Sequence, residues 1–357
     1  YLCLSYCWGK KQFPRLTTAN LSDMVRSVDF KSLPATISDA ILITRKMGYQ
    51  YLWIDALCII QDSKADWASE SVKMGSIYRN SILTIAALGA VDSFTGCFMN
   101  RNPLCFRDIS VHHTDFKLTN SIRTPVGQWE LQSTGEDYPR EYEVVGAAAS
   151  PLQTRAWVVQ EQLASPRTLY FGLSGIYWQC IECEAHESCP LGRKMWPTNL
   201  KALFHLAPQS TDDYFTREIW RRIVDRYTSC KLTFQSDKLV AISGIARLLE
   251  HASGKTYSAG LWEQHLSQCL TWHSRSPSWS GNHLLGRIES DTPSFSWASV
   301  VQPVTHYEYD GLDHQLDALS VTMNPVDHSP TDNPKKYSLH VRSQLKPVLL
   351  LPRSQSR

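Results

Sequence analysis

The sequence lacks any run of about 18 apolar residues, the least that spans a bilayer. Its best candidate, Ile82 to Val91, is far too short. No charged-then-apolar leader opens the chain. Tyr1 is not a Met and already sits in a hydrophobic run, so the chain is expected to be a fragment. There is no basic excess: 36 basic against 34 acidic side chains leave a formal net charge of +2. That offers little to neutralise phosphates and argues against a dedicated nucleic-acid binder. P-loop, GxGxxG, HExxH and GxSxG patterns are all missing. Phosphoryl transfer, Rossmann dehydrogenation, metalloproteolysis and serine hydrolysis therefore lack support. Neither an internal repeat nor a low-complexity tract occurs.

What is present describes a folded protein, with 43% hydrophobic and 20% charged residues. At about 150 residues per domain, the 357 residues allow two domains, or one with a large extension. Twelve Trp and fifteen Tyr imply large packed surfaces or aromatic-lined pockets. Of the ten cysteines, Cys3, Cys58 and Cys269 lie in apolar or helical contexts, where Cys behaves as a small core residue. A reduced, cytoplasmic protein is the expectation.

The first ninety residues alternate in type. Tyr1 to Tyr6 reads as a buried strand, followed by the turn Cys7-Trp8-Gly9. Thr36 is a candidate N-cap for a helix carrying Ile37, Ala40, Ile41 and Met47, stopped by Gly48. Tyr51 to Ile54 is the next strand and delivers Asp55 at its carboxyl end. Asp62 to Asp66 open a second helix with Trp67, Met74, Ile77 and Tyr78 on one face, and Ser81 to Leu88 is a third strand. This order predicts an α/β fold with a parallel sheet, whose ligands gather at the carboxyl ends of the strands. Ser5, Tyr6, Trp8, Gly9 and Asp55 then share one rim.

Farther along, Phe94 to Gly146 looks irregular, with an exposed loop at Glu136 to Glu143. Ser150-Pro151 predicts the start of a helix through Arg155, Trp157 and Glu161 to about Ala164. Strands are expected at Leu169 to Phe171 and Ile176 to Gln179. Helices follow at Asp212 to Ser229, after Ser236 or Asp237, and at Gly260 to Trp272. Short strands at Phe295 to Val301, Tyr337 to Val341 and Pro347 to Leu351 complete a mixed C-terminal region.

Each candidate residue has a structural alternative. Asp55 could bind ribose hydroxyls, position water or orient Ser5 or Tyr6, or it could cap the following loop through backbone N–H groups. The turn Ser5, Tyr6, Trp8, Gly9 could admit a phosphate or a nicotinamide ring, while Gly9 could serve only a left-handed turn. Cys180, Cys183, His186 and Cys189 carry zinc-type donors within ten residues, but structural zinc usually joins two separated pairs. Partly buried thiols are the alternative, and no metal is expected. Cys58 has no basic neighbour in sequence that would make it a nucleophile.

Three segments carry a resemblance: YLCLSYCWG at Tyr1–Gly9, YLWIDALCIIQD at Tyr51–Asp62 and RAWVVQEQLASPRTLYF at Arg155–Phe171. With LPATISDAI at Leu33–Ile41 and DWASESVKMGSIYRNSILTIAA at Asp66–Ala87 between them, the chain resembles the HET (heterokaryon incompatibility) domain of filamentous fungi. The resemblance covers about residues 1–171, leaving 172–357 as a C-terminal region. Its pieces SDKLVAISGIA, YSAGLW and PSFSWAS resemble what commonly follows that domain. No Gly/Ser linker divides the two, so an intimate attachment is expected.

The resemblance implies regulated cell death when unlike fungal cells fuse. It also implies a distant relation to TIR domains, which have a flavodoxin-like sheet and in some branches hydrolyse NAD. Ser5-Tyr6 occupies the place of the SY pair that often ends the first TIR strand. The Trp157 to Glu161 spacing repeats that of the TIR catalytic Glu, although Val158 stands where a Cys often follows the Trp. Glu161 is thereby the catalytic candidate, with Ser5, Tyr6, Trp8, Gly9, Asp55, Arg155 and Trp157 around the ligand. The TIR-like resemblance implies NAD as the substrate, with no cofactor required. Nicotinamide leaves as a neutral group, so one ionised carboxylate can serve the oxocarbenium-like transition state. Alternatively, Trp157 is core and Glu161 pairs with Arg155 or Arg167. Two other functions remain open: a signalling module that acts by self-association with a protein partner, and a zinc-stabilised interaction protein.

Overall fold

The computed structural model describes residues 1–100, 109–113, 127–131, 150–173, 175–187, 189–194, 199–206, 213–275, 286–288, 292–306, 319–323 and 337–341. The opening apolar run forms β1 (Leu2–Ser5), buried along its whole length as a strand covered on both faces must be. Then come α1 (Leu21–Arg26), α2 (Ala35–Lys46), β2 (Leu52–Trp53), α3 (Asp55–Cys58), α4 (Lys64–Asn80) and β3 (Leu83–Ala86). A separate hairpin pairs β4 (Ile109–His113) with β5 (Gly127–Leu131). The chain returns through α5 (Ala156–Ala164), β6 (Arg167–Phe171), β7 (Ile176–Cys180), β8 (Cys183–His186) and β9 (Cys189–Lys194).

These strands form one seven-stranded sheet in the order β2-β1-β3-β6-β7-β8-β9. The first four are parallel, with Leu2 opposite Leu52 and Leu83, and Thr84 opposite Thr168. The remaining three run antiparallel as a meander joined by short turns. The sheet is thus parallel only over β2-β1-β3-β6. The loops after Phe171, Cys180 and His186 are too short for a parallel crossover, which needs about a dozen residues. One sheet therefore runs across residue 171.

The C-terminal region is helical and then a set of small sheets: α6 (Leu200–Leu206), α7 (Asp213–Thr228), α8 (Val240–Ser253), β10 (Tyr257–Ser258), β11 (Leu261–Trp262), α9 (Leu266–Cys269), β12 (Trp272–Ser274), β13 (Val304–His306), β14 (Leu319–Met323) and β15 (Tyr337–Val341). β10-β11, β12-β13 and β14-β15 are two-stranded. The expected helix at Gly260 to Trp272 is broken into β11, a 3-10 turn, α9 and β12. Gly260 takes φ +95°, and its carbonyl accepts from the indole nitrogens of Trp220 (3.2 Å) and Trp297 (2.7 Å). Those two bonds hold the backbone out of helical geometry. Likewise Phe295 to Val301 is not a strand: Ser296 accepts from the Ala298 N–H and opens a 3-10 turn at Trp297–Ser299. Trp220, Trp262, Trp297 and Tyr227 are all buried in the core beneath α7 and α8, which places three of the twelve Trp.

Two expected helix starts also move. Pro34, not Thr36, occupies the N-cap of α2. Thr36 is fully buried, its N–H donates to the Ser93 carbonyl, and its hydroxyl accepts from the Gly96 N–H at 3.0 Å. Ser150-Pro151 leads into a 3-10 turn, and α5 begins only after Arg155. The Thr154 carbonyl accepts from Lys231 N–H, and Ala156 N–H donates to the Lys231 carbonyl. This bridge keeps Arg155 extended at φ −90°, ψ 129°. Glu136 to Glu143 and Pro347 to Leu351 lie outside the described residues. Among the described residues, no helix is long and apolar enough to cross a membrane.

Helices α4 and α8 pack at glycines. A Cβ on Gly75 would come within 2.7 Å of the Gly244 Cα, backbone that cannot swing away. Ala would improve helix propensity by about 1 kcal/mol, but overpacking costs about 1–3 kcal/mol. Gly75→Ala should therefore lower the urea midpoint without changing the m-value, and an unchanged or raised midpoint would contradict this packing.

Candidate functional site

The order β2-β1-β3 reverses direction at β1, so the crevice lies outside the carboxyl ends of β1 and β3. β1 ends there in Ser5, followed by Tyr6, Cys7 and Trp8. α5 reaches the same place from the other side, with Arg155 at its N-cap and Glu161 nearly two turns on. Ser5 Oγ donates to Glu161 Oε2 at 2.5 Å, and Arg155 Nη1 donates to the Tyr6 carbonyl. Trp8 Nε1 donates to Asp55 Oδ2 at 2.9 Å, while the other Asp55 oxygen accepts from the Ala56 N–H at 2.7 Å. Ser5, Tyr6 and Glu161 are buried; Trp8, Asp55 and Arg155 are half-buried and form the outer side.

Two carboxylates and one guanidinium, one buried and two half-buried, set unusual protonation. Burial raises the Glu161 pKa from 4.5 to about 7, although Arg155, Ser5 and Tyr78 all favour its charged form; the charge on Asp55 adds to the rise. Burial also raises Asp55, against the pull of Arg155, the Ala56 N–H, Trp8 and Tyr6. Arg155 is itself desolvated, yet Glu161, Cys7 and Asp55 outweigh that and hold it charged. The Tyr6 phenol is raised well above its usual range, by burial first and then by Asp55. Its hydroxyl interacts with Asp55 without forming a well-aligned hydrogen bond. A carboxyl that titrates near neutrality, beside a fixed positive charge and a hydroxyl donor, can hold or release a proton or stabilise a nearby cation.

Of the residues singled out from the sequence, Ser5, Tyr6, Trp8, Asp55, Arg155 and Glu161 come together. Gly9 lies one step along, at φ +77°, where a Cβ would sit 2.3 Å from the Asp92 Cβ. Gly9 thus permits the left-handed turn and the close approach of the loop after β3. Asp55 makes the cap bond of its structural alternative and also faces the site. Trp157 packs edge to face on Trp67 of α4, with ring centroids 6.5 Å apart, among the apolar contacts of the helices. Sequence reasoning placed Tyr78 only on a helix face. Its hydroxyl donates to the Leu4 carbonyl at 3.0 Å and lies close enough to Glu161 to bear on its protonation. The available signal was a Tyr, rather than Phe, at a buried helical position.

The cysteine-rich hairpin separates its donors. Cys180 and Cys183 flank the β7–β8 turn, whereas His186 lies at the other end opposite Tyr177, ring centroids 4.4 Å apart. Among the described residues no group of three or more metal-binding side chains exists. Partial desolvation, then the charges of Asp55 and Glu70, raises the Cys58 thiol, which argues against a nucleophile there.

Because Glu161 is raised, the folded state binds its proton more tightly than the unfolded chain. Its contribution to stability is full below about pH 4.5 and is lost as pH rises through about 7. Glu161→Gln keeps the shape and removes the titration. The stability of the variant relative to the parent should rise by roughly 3 kcal/mol from pH 4.5 to 8. A pH-independent difference in urea unfolding would contradict the shift.

No curated protein and no solved structure matches the chain. Residues 1–161 match the family model described as "Heterokaryon incompatibility protein (HET)". This match takes in β1, Asp55 and the Arg155-to-Glu161 stretch whose side chains meet in the site. Over residues 1–161 the chain is thus similar to the HET domain of heterokaryon incompatibility proteins.

Proposed function

We propose that this chain acts in regulated cell death within the cytoplasm, and that its HET domain hydrolyses NAD at a TIR-like site centred on Glu161. The observation that carries this reading is the Ser5–Glu161 pair, set beside Arg155 at the carboxyl rim of the parallel strands. Water and NAD give ADP-ribose, nicotinamide and a proton. The bond between nicotinamide and ribose breaks with both electrons going to the nicotinamide, which leaves neutral and needs no acid. The positive charge moves to the ribosyl carbon and its ring oxygen, where an ionised Glu161 stabilises it. Ser5 holds the carboxylate in one orientation. Asp55, fixed by Trp8 and the Ala56 N–H, takes ribose hydroxyls. The half-buried Trp8 ring, over which the Arg15 guanidinium sits 5.6 Å from the centroid, is the flat surface that takes a base in this reading.

A second reading has its own support. Glu161 is only 4% exposed and already has hydrogen-bond and charge partners. In that case the cluster is a brace, and the domain signals by self-association and recruitment of a protein partner.

The two separate on turnover by purified, concentrated protein, since assembly can be part of activation. Catalysis predicts nicotinamide release by the parent and a fall of about 100-fold or more in Glu161→Gln. Absence of turnover in both, with toxicity retained by the variant, would leave only the non-enzymatic module.

A further inference from the structure

β7 and β8 are joined by Ile181-Glu182 alone, which leaves Cys180 and Cys183 facing each other at the end of the hairpin. Because Cys180 pairs with Arg167, the first residue of β6, this end lies at the sheet edge opposite the rim that holds Ser5. The two sulfurs are 3.6 Å apart and both residues are half-buried. A disulfide requires about 2.05 Å, an approach that side-chain rotation at a turn can supply. Two backbone groups already point at one sulfur: the Glu182 N–H at 3.4 Å and the Cys183 N–H at 3.3 Å both donate to Cys180 Sγ.

That geometry makes the two thiols unequal. Desolvation works against a Cys180 thiolate, but the two N–H groups, the Cys183 thiol and Trp178 outweigh it and lower the pKa. Cys183 moves the other way, raised by desolvation and by its neighbour. Burial raises Cys3 and Cys97 to about 12 and Cys269 to about 11, and desolvation also raises Cys7, Cys58 and Cys230. Among the eight cysteines whose side chains are described, Cys180 alone is poised to attack, with a resolving thiol in contact.

We propose that Cys180 and Cys183 form a reversible dithiol–disulfide site that reacts with small disulfides of the glutathione class. The Cys180 thiolate attacks one sulfur of the small disulfide. Its S–S bond breaks, a mixed disulfide forms on Cys180, and the first small thiolate leaves and takes up a proton. Cys183 then gives its proton to solvent and attacks Cys180 Sγ, expelling the second small thiolate, which is also protonated. The two cysteines are oxidised, and the small disulfide is reduced to two thiols. A small thiol in excess reverses both steps.

The test is incubation of the full chain with oxidised glutathione, followed by intact mass and peptide mapping. The parent should lose about 2 Da in the segment holding both residues, and dithiothreitol should restore it. Cys183→Ser should stop at a glutathione adduct on Cys180. Cys180→Ser should be modified at Cys183 at least about tenfold more slowly at pH 7. Any of three results would overturn the proposal: modification of Cys58 ahead of this pair, no Cys180–Cys183 bond in the parent, or a co-purifying zinc ion that protects both thiols.

Discussion

Helix α5 is buried on nearly every side, and the rest of the structure is arranged around that burial. Only Trp157 among its nine residues is not buried. A helix closed in on all sides would ordinarily be apolar throughout, yet Gln160, Glu161 and Gln162 stand in its middle. Successive helical residues point about 100° apart, and the three side chains engage three different neighbours. Gln160 Oε1 accepts from the Gly244 N–H of α8 at 2.9 Å, Glu161 accepts from Ser5 of β1, and Gln162 Oε1 accepts from Arg226 of α7. Because unpaired polar groups are costly inside a protein, these bonds set the rotation of α5 against the sheet and both helices.

That arrangement ties the candidate site to the C-terminal region. The family match ends at Glu161, inside α5, while β6 to β9 complete the sheet and α8 closes on α4 through Gly75 and Gly244. The core beneath α7 and α8 includes Ala156, Val159 and Leu163 of α5. The helix that carries Glu161 therefore depends on residues beyond the matched segment for its burial, and the burial raises its carboxyl.

The parallel half of the fold was legible because its signals are local. Apolar strands alternate with helices of 3.6-residue period, and the carboxyl-end rule brought Ser5, Tyr6, Trp8 and Asp55 to one rim before any contact was visible. The N-terminus of α5 was not legible, since it depends on Lys231, 76 positions beyond Arg155 in the bridge that keeps Arg155 extended. Gly260 shows the same limit: its broken helix is enforced by two indoles from Trp220 and Trp297. The antiparallel meander could have been read from its turns, because Ile181-Glu182 leaves no room for a crossover. Tyr78 was missed since the periodicity that places it in the core says nothing of where its hydroxyl ends.

Glu161 is a buried carboxyl poised near neutrality between Ser5 and Arg155. Its titration can be followed in the folded protein by isotope-edited infrared or carbon NMR spectroscopy, with Glu161→Gln identifying the signal. A midpoint near 7 is predicted. A midpoint at the ordinary value of about 4.3 for a solvated glutamate would contradict the account.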